Sequence, residues 1–205
     1  MISSYIQEIA LLAVPVLFSI TFHEVSHGYA AFRLGDPTAR NAGRLTLNPI
    51  SHIDPVGLLV LVVTRMIGWA KPVPVDPRYF KNPRQDMMWV SLAGPASNLL
   101  LAVVFAVISR MVPPIAQSSF LYPLAIMLQF MIVINVGLAV FNLIPIPPLD
   151  GSHILQGLLP PEMAMSYSRI EPYGFIILLV LVFTRTVNVV IFPIIDFITG
   201  LLMRI

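Results

Sequence analysis

Residues 21–32 read Thr-Phe-His-Glu-Val-Ser-His-Gly-Tyr-Ala-Ala-Phe, and no charged residue lies between Ile9 and Phe22 just before the motif. On an α-helix each residue advances by about 100°, so His23 and His27 fall one turn apart on one face. At that spacing two imidazoles can hold one Zn²⁺, while Glu24 can reach a water in the metal's open position. A soluble metalloprotease carries this motif on an amphipathic helix. Here the helix is apolar nearly all round, which points to zinc chemistry inside a bilayer. The bland reading, two helical histidines satisfied by hydrogen bonds, weakens at membrane depth, where ionisable side chains are rare and usually functional.

The composition agrees. The 205-residue chain is 57% hydrophobic and 11% charged, with a mean hydropathy of +0.86. Several apolar runs are long enough to span, which predicts an all-α polytopic membrane protein forming a single membrane-embedded domain over residues 1–205. No basic segment followed by a small-residue cleavage site precedes the motif helix, so no removable signal peptide is expected. With no cysteine, disulfides and thiolate ligands are excluded, and a metal must be held by His, Asp or Glu. The net charge of +2, without basic residues interleaved with aromatics on a soluble face, argues against a nucleic-acid partner.

In chain order, the first helix is expected from about Tyr5 to Leu34, roughly 45 Å long, kinked at Pro15 and ended by Gly35-Asp36-Pro37. Residues 36–55 are polar and rich in turn formers, with a short strand expected at 43–47. Val56–Thr64 is apolar, but Arg65 follows, and only Met66–Ala70 remains before Lys71, so the run reads as re-entrant or interfacial. Residues 71–86 form an extended, proline-rich loop, in which 71–75 could be an exposed edge strand. Spanning helices are expected at Met87–Ser109, interrupted at Gly94-Pro95, and at about Phe120–Leu143, with a loop at Pro113-Pro114 between them. Residues 160–172 read as a loop, Tyr173–Phe192 as the last apolar segment with Arg185 snorkelling, and Pro193–Ile205 as a separate short helix. The expected fold is thus about four spanning helices, one short re-entrant or interfacial helix and a small β edge.

Eight of the twelve Lys and Arg (Arg33, Arg40, Arg44, Arg65, Lys71, Arg78, Lys81 and Arg84) lie between Arg33 and Arg84, while the segment before Ile9 has none, which places both loops flanking the short 56–70 run in the cytoplasm. His27 then lies about 12 Å inside the cytoplasmic end of its helix. Asp150 follows the cytoplasmic end of the 120–143 segment, so both approach the same leaflet.

Candidates for a third ligand are Asp150, His153, His52, Asp54, Glu171 and Asp196. Asp150 is favoured, because the prolines at 145, 147 and 148 release its backbone from a helix, and unwound chain is tolerated at depth only where it lines a site. Its alternative role is to cap a helix over 151–158. His153, three residues on, and His52, in a turn-rich loop, read better as contacting ligands or loop backbone than as binding metal. Trp69, Trp89 and Tyr79 read as interfacial anchors.

With these residues in view, the chain resembles the site-2 protease family of intramembrane zinc metalloproteases over nearly its whole length. The resemblance is carried by His23-Glu24-Val25-Ser26-His27, by Ser91-Leu92-Ala93-Gly94-Pro95-Ala96-Ser97-Asn98, and by Asn142-Leu143-Ile144-Pro145-Ile146-Pro147-Pro148-Leu149-Asp150-Gly151. Residues 48–57, Asn-Pro-Ile-Ser-His-Ile-Asp-Pro-Val-Gly, are similar to a stretch of the compact members, which lack PDZ and CBS domains. The resemblance implies one zinc per chain held by His23, His27 and Asp150, with Glu24 as the catalytic base. It also implies a substrate or oxyanion contact by Asn142, and a Gly94–Asn98 segment close to the zinc helix in which Asn98 would touch a ligand. The implied substrate is a transmembrane segment that unwinds and adds to an edge at 43–47 or 71–75. The implied setting is the cell membrane, with the active site toward the cytoplasm. The sequence specifies no oligomeric state. Rival readings are a membrane metal-ion transporter and an inactive helix-binding scaffold. Transporters spread ionisable residues over several helices and often carry internal repeats, neither of which is present in this sequence.

Overall fold

A computed structural model describes residues 2–64, 69–112 and 122–204. Helix α1 (Ile2–Arg33) runs unbroken through Pro15, which is fully buried. It stops at Gly35, whose φ of +109° is closed to most side chains, and the Asp36 N–H returns to the Ala31 carbonyl at 2.9 Å. The buried Asp36 carboxylate then ties the loops together. It accepts from the Thr38 N–H at 2.8 Å, from the Thr38 hydroxyl, and from the Asp76 N–H at 2.8 Å.

A single turn, α2 (Thr38–Asn41), and a 3₁₀ turn at Pro49–His52 lead to α3 (Pro55–Thr64). Asp54 caps α3 by accepting from the Val56 and Gly57 N–H groups at 2.8 and 3.0 Å. Its ten residues extend about 15 Å, too short to cross, in keeping with a re-entrant or interfacial run. Arg65 and Met66–Gly68 lie outside the described residues, as does the Pro113-Pro114 loop.

The expected β edge is not formed. Among the described residues there is no strand, only one antiparallel bridge between Ile53 and Ala70. Residues 43–47 and 71–75 form no strand, and the polar groups of 71–75 go to the His52 carbonyl and to side chains instead. The Lys71 carbonyl accepts from Arg44 Nη2 at 2.7 Å, and the Val73 N–H donates to Glu24 at 2.8 Å. Pro72 and Pro74 have no donor to offer a ladder.

Helix α4 (Pro83–Met111) is the centre of the molecule, lying against α1, α5 (Tyr122–Asn142) and α6 (Asp150–Leu158). It passes through Gly94-Pro95 without the expected interruption, Pro95 being buried inside the helix. Residues 160–172, expected as a loop, instead contain α7 (Pro161–Ser168), started by Pro161 in the first turn with Glu162 beside it. The last apolar stretch breaks earlier than expected. Helix α8 (Glu171–Phe183) ends where the Thr184 hydroxyl turns back to the Val180 carbonyl and Arg185 takes a φ of +59°. Helix α9 (Thr186–Arg204) then runs straight through Pro193.

Among the described residues, four helical stretches are long and apolar enough to cross a membrane: Leu11–Arg33, Pro83–Met111, Tyr122–Asn142 and Thr186–Arg204. The α7–α8 pair, bent by 64°, forms a fifth broken span or a re-entrant loop. Ala102, Ala106, Ile132, Val136 and Leu202 form a core where α4, α5 and α9 meet. A second core of Ala31, Phe80 and Val90 fixes the chain after residue 75 against α1 and α4. Side chains such as Leu100, Val107, Val189 and Phe197 face outward, as a lipid solvent permits.

Asp36 is the joint between α1 and the 71–76 strap, so Asp36→Ala, which strands the Asp76 N–H, should cost about 3 kcal/mol of stability. Thermal unfolding in detergent together with limited proteolysis checks this. The midpoint should fall and new cuts should appear within residues 71–82, with zinc still bound.

Candidate metal centre

His23 and His27 project from one face of α1, their ring centroids 4.5 Å apart and their planes crossed at 87°. Each Nδ1 is taken. His27 Nδ1 lies 2.7 Å from the Val90 carbonyl and His23 Nδ1 2.6 Å from Asn98 Oδ1, both on α4. A carbonyl can only accept, so Nδ1 carries the proton in each ring and each Nε2 presents a lone pair. Those two Nε2 atoms face each other at 2.9 Å.

The third group arrives from the far side of α5. Beyond Asn142 the chain leaves the helix through tight turns, and Asp150 becomes the first residue of α6. Its carboxylate does not cap that helix: Leu149 is the cap residue, with no side-chain bond. Instead Oδ2 lies 3.2 Å from His23 Nε2 and Oδ1 3.4 Å from His27 Nε2. Gly151 lets this happen, because a Cβ there would run into the Leu143 and Ile144 carbonyl oxygens. The Tyr167 hydroxyl, donating to the Pro145 carbonyl at 2.7 Å, braces the same turn.

Among the described residues, His23, His27 and Asp150 form the one group of three or more potential ligands, with one donor atom from each lying within 4.8 Å of the others. Three electron-rich atoms converge on one point, and Asp150 Oδ2 is buried with no hydrogen-bond partner. Without a cation this arrangement is repulsive. With one it supplies two imidazoles and a carboxylate, a three-ligand catalytic zinc set that leaves a fourth position open. The residues fit zinc.

Gly94 lets α4 approach. A Cβ on it would lie 2.5 Å from His27 Cε1 and Nε2, and 2.6 Å from His23 Cε1. Glu24 stands outside the ligand group, its Oε2 accepting from the Val73 N–H of the strap at 2.8 Å. Asn98, expected to touch a ligand, has its Oδ1 2.6 Å from His23 Nδ1. Asn142 Nδ2 donates to the Leu138 carbonyl at 3.0 Å, one turn back on its own helix. His153 lies on α6 but outside the ligand group. His52 is buried in its loop, its Nε2 donating to the Thr46 carbonyl at 2.9 Å, and is likewise outside the group. Asp54, Glu171 and Asp196 are not in it either.

Two residues that the motif reading passed over lie beside the centre. Asn135 and Ser19, both fully buried, bond to each other and to Asn98. The signal available for Asn135 was a carboxamide in an otherwise uncharged membrane helix, where polar side chains usually bond across helices.

The sequence is 40% identical over 188 residues to YwhC of Bacillus subtilis (strain 168), whose name describes a zinc metalloprotease, covering 90% of this chain and 85% of that one. The chain belongs to peptidase family M50, the site-2 protease family. The profile of that peptidase family matches residues 111–184, which include Asp150. Rip2 of Mycolicibacterium smegmatis (strain ATCC 700084 / mc(2)155), also named as a zinc metalloprotease, is 34% identical over 189 residues, covering 90% of this chain and 71% of its own. The zinc metalloprotease MJ0392 of Methanocaldococcus jannaschii is 25% identical over 150 residues, covering 73% of this chain and 34% of its own. No solved structure matches. This M50 member is therefore a zinc metalloprotease and an integral membrane protein.

The contact at Gly94 yields a direct test. Gly94→Ala forces a methyl group into both zinc-facing rings, and overpacking of about 1–3 kcal/mol translates into a loss of zinc affinity of roughly tenfold or more. Elemental analysis after dialysis against a graded chelator should show this loss. Gly137→Ala, where the new Cβ meets only Ile195 Cδ1 at 3.8 Å, should keep its metal.

Proposed function

We propose that this M50 protease hydrolyses peptide bonds in or beside the transmembrane segments of membrane-protein substrates, working from the cytoplasmic side of the cell membrane. One observation carries the reading: a ligand group drawn from two separate helices, the membrane-spanning α1 and the short α6, with a carboxylate outside the group, Glu24, one residue from the first ligand. A transporter reading gives Glu24 no task. It also expects metal-binding side chains spread over more segments than the two that contribute here.

His23, His27 and Asp150 are the zinc ligands in this proposal. Zinc, when bound, supplies Lewis acidity, lowering the pKa of coordinated water to about 7 and polarising a carbonyl. Glu24 is the general base: it takes a proton from water and hands it to the departing amine. The Val73 N–H holds one oxygen of that carboxylate at 2.8 Å, which leaves the other available for the proton. Asn142, at the end of α5, is assigned to the substrate backbone or the oxyanion. This requires one Nδ2 hydrogen, and the bond to Leu138 leaves the second hydrogen for it.

A peptide in a helix has its carbonyls occupied and shielded, so the substrate must be extended at the cleaved bond. Of the two stretches expected to receive it, 71–75 touches Glu24 through the Val73 N–H, which favours it over 43–47. Water reaches the centre from the polar loop side, where Arg44, His52 and Asp36 already gather polar groups at the end of α1. The basic residues flanking α3 support the cytoplasmic orientation.

Purified Glu24→Gln should keep about one zinc per chain and cleave at less than a thousandth of the wild-type rate, because the proton acceptor is gone while the ligands remain. Cleavage by a clean preparation of that variant overturns the mechanism. Asp150→Ala should lose most of its zinc at the same free-metal concentration, and unchanged zinc content removes Asp150 from the ligand set. Membrane-protein stubs that accumulate in cells carrying Glu24→Gln, read by proteomics, identify the substrate.

A further inference from the structure

We infer that Asn135 is a positioning residue for the zinc centre: acting through Asn98, it fixes the tautomer and ring orientation of His23. The inference deepens the proposed function and rests on its reading of His23 as a ligand.

The reasoning is a count of donors and acceptors. Asn135 Nδ2 donates to the Met131 carbonyl at 2.7 Å and to Ser19 Oγ at 2.8 Å. A backbone carbonyl can only accept, so the amide nitrogen of Asn135 must face it, and its Oδ1 must face the other way. There Oδ1 accepts from Asn98 Nδ2 at 2.8 Å. Asn98 Nδ2 spends its second hydrogen on the Ser19 carbonyl at 3.3 Å, which leaves Asn98 Oδ1 turned toward His23 Nδ1 at 2.6 Å. His23 must therefore hold its proton on Nδ1 and its lone pair on Nε2, toward Asp150 and His27. Direction is set at a backbone carbonyl of α5, passes through two carboxamides, and ends on a metal-facing nitrogen of α1.

Asn98 alone cannot do this. Its oxygen and nitrogen have nearly the same shape, and a flipped Asn98 would offer N–H to His23 Nδ1. That would favour the tautomer with its proton on Nε2, which leaves no lone pair on the nitrogen facing Asp150 and His27. The flip is forbidden because it would set Asn98 Oδ1 against Asn135 Oδ1. A flip of Asn135 in turn would set its oxygen against the Met131 carbonyl. Ser19, Asn98 and Asn135 are each fully buried, so no water relaxes either clash.

The test is a double-mutant cycle on zinc affinity, measured by competition with a chromogenic chelator on the full chain in detergent. Asn98→Ala should weaken zinc binding by about 10–100-fold and Asn135→Leu by about tenfold. The double variant should match Asn98→Ala to within about twofold, because Asn135 acts only through it. Asn135→Ala, which adds no bulk, is measured in parallel so that the cycle survives poor folding of the leucine variant. Val136→Ala, in the core beside it, should lower the unfolding temperature and leave zinc affinity unchanged. Wild-type zinc affinity in both Asn135 variants overturns the inference. So do effects that multiply in the double variant, or an equal loss in Val136→Ala, which would make Asn135 merely structural. Zinc affinity unchanged in His23→Ala would instead overturn the ligand reading.

Discussion

Two imidazole nitrogens, each with its lone pair outward, face each other at 2.9 Å beside a carboxylate with an unpartnered oxygen. In a low-dielectric interior that contact is unfavourable unless a cation lies among them. Much of the surrounding structure serves to maintain it. The Val90 carbonyl and Asn98 keep protons on the far side of both rings, and Gly94 lets the α4 backbone close over them. Gly151 lets the turn before α6 drive Asp150 in from the opposite side. Val90, Gly94 and Asn98 belong to α4 and Gly151 to α6, so the centre also locks α1, α4 and α6 into one register.

That register explains why α4 is the central element. It bears Val90, Gly94 and Asn98, spaced four residues apart on one face toward α1. The turns below carry Ala102 and Ala106 against α5 and α9. Small residues allow backbones to come close where there is no hydrophobic effect to drive helices together, and hydrogen bonds such as Asn98–Asn135 then supply direction. Pro95, inside this helix, does not stop it, because neighbouring helices already enclose the chain on the side where the ladder lacks a donor.

The sequence made some of this readable and hid the rest, for identifiable reasons. His23 and His27 were legible because helical periodicity alone puts them on one face. Asp150 was legible because Pro145, Pro147 and Pro148 exclude a helix just before it. Three of the long helices, α1, α4 and α5, follow from long and nearly uncharged runs. The break between α8 and α9 was not legible: Pro193, the obvious breaker, is accommodated, while the actual break is a threonine hydroxyl bonding backward and an arginine at positive φ. The missing β edge has a similar origin. Two of residues 71–75 are prolines with no donor for a ladder, and the other polar groups are claimed by Arg44, His52 and Glu24, partners far away in sequence. Asn135 carried no motif at all, and its meaning appears only once Ser19, Met131 and Asn98 are seen around it.

The strap and the buried amide pair solve opposite halves of one problem. A metal site that must bind a polar ion and yet admit water cannot be equally dry on all sides. On the inner side, Ser19, Asn98 and Asn135 satisfy one another completely, so that face needs no solvent and can be surrounded by Val136 and Ile132. On the outer side, Glu24 lies outside the ligand group and accepts a backbone N–H of the strap, a single neutral donor. The strap's anchors at Lys71 and Asp76 hold that donor in position.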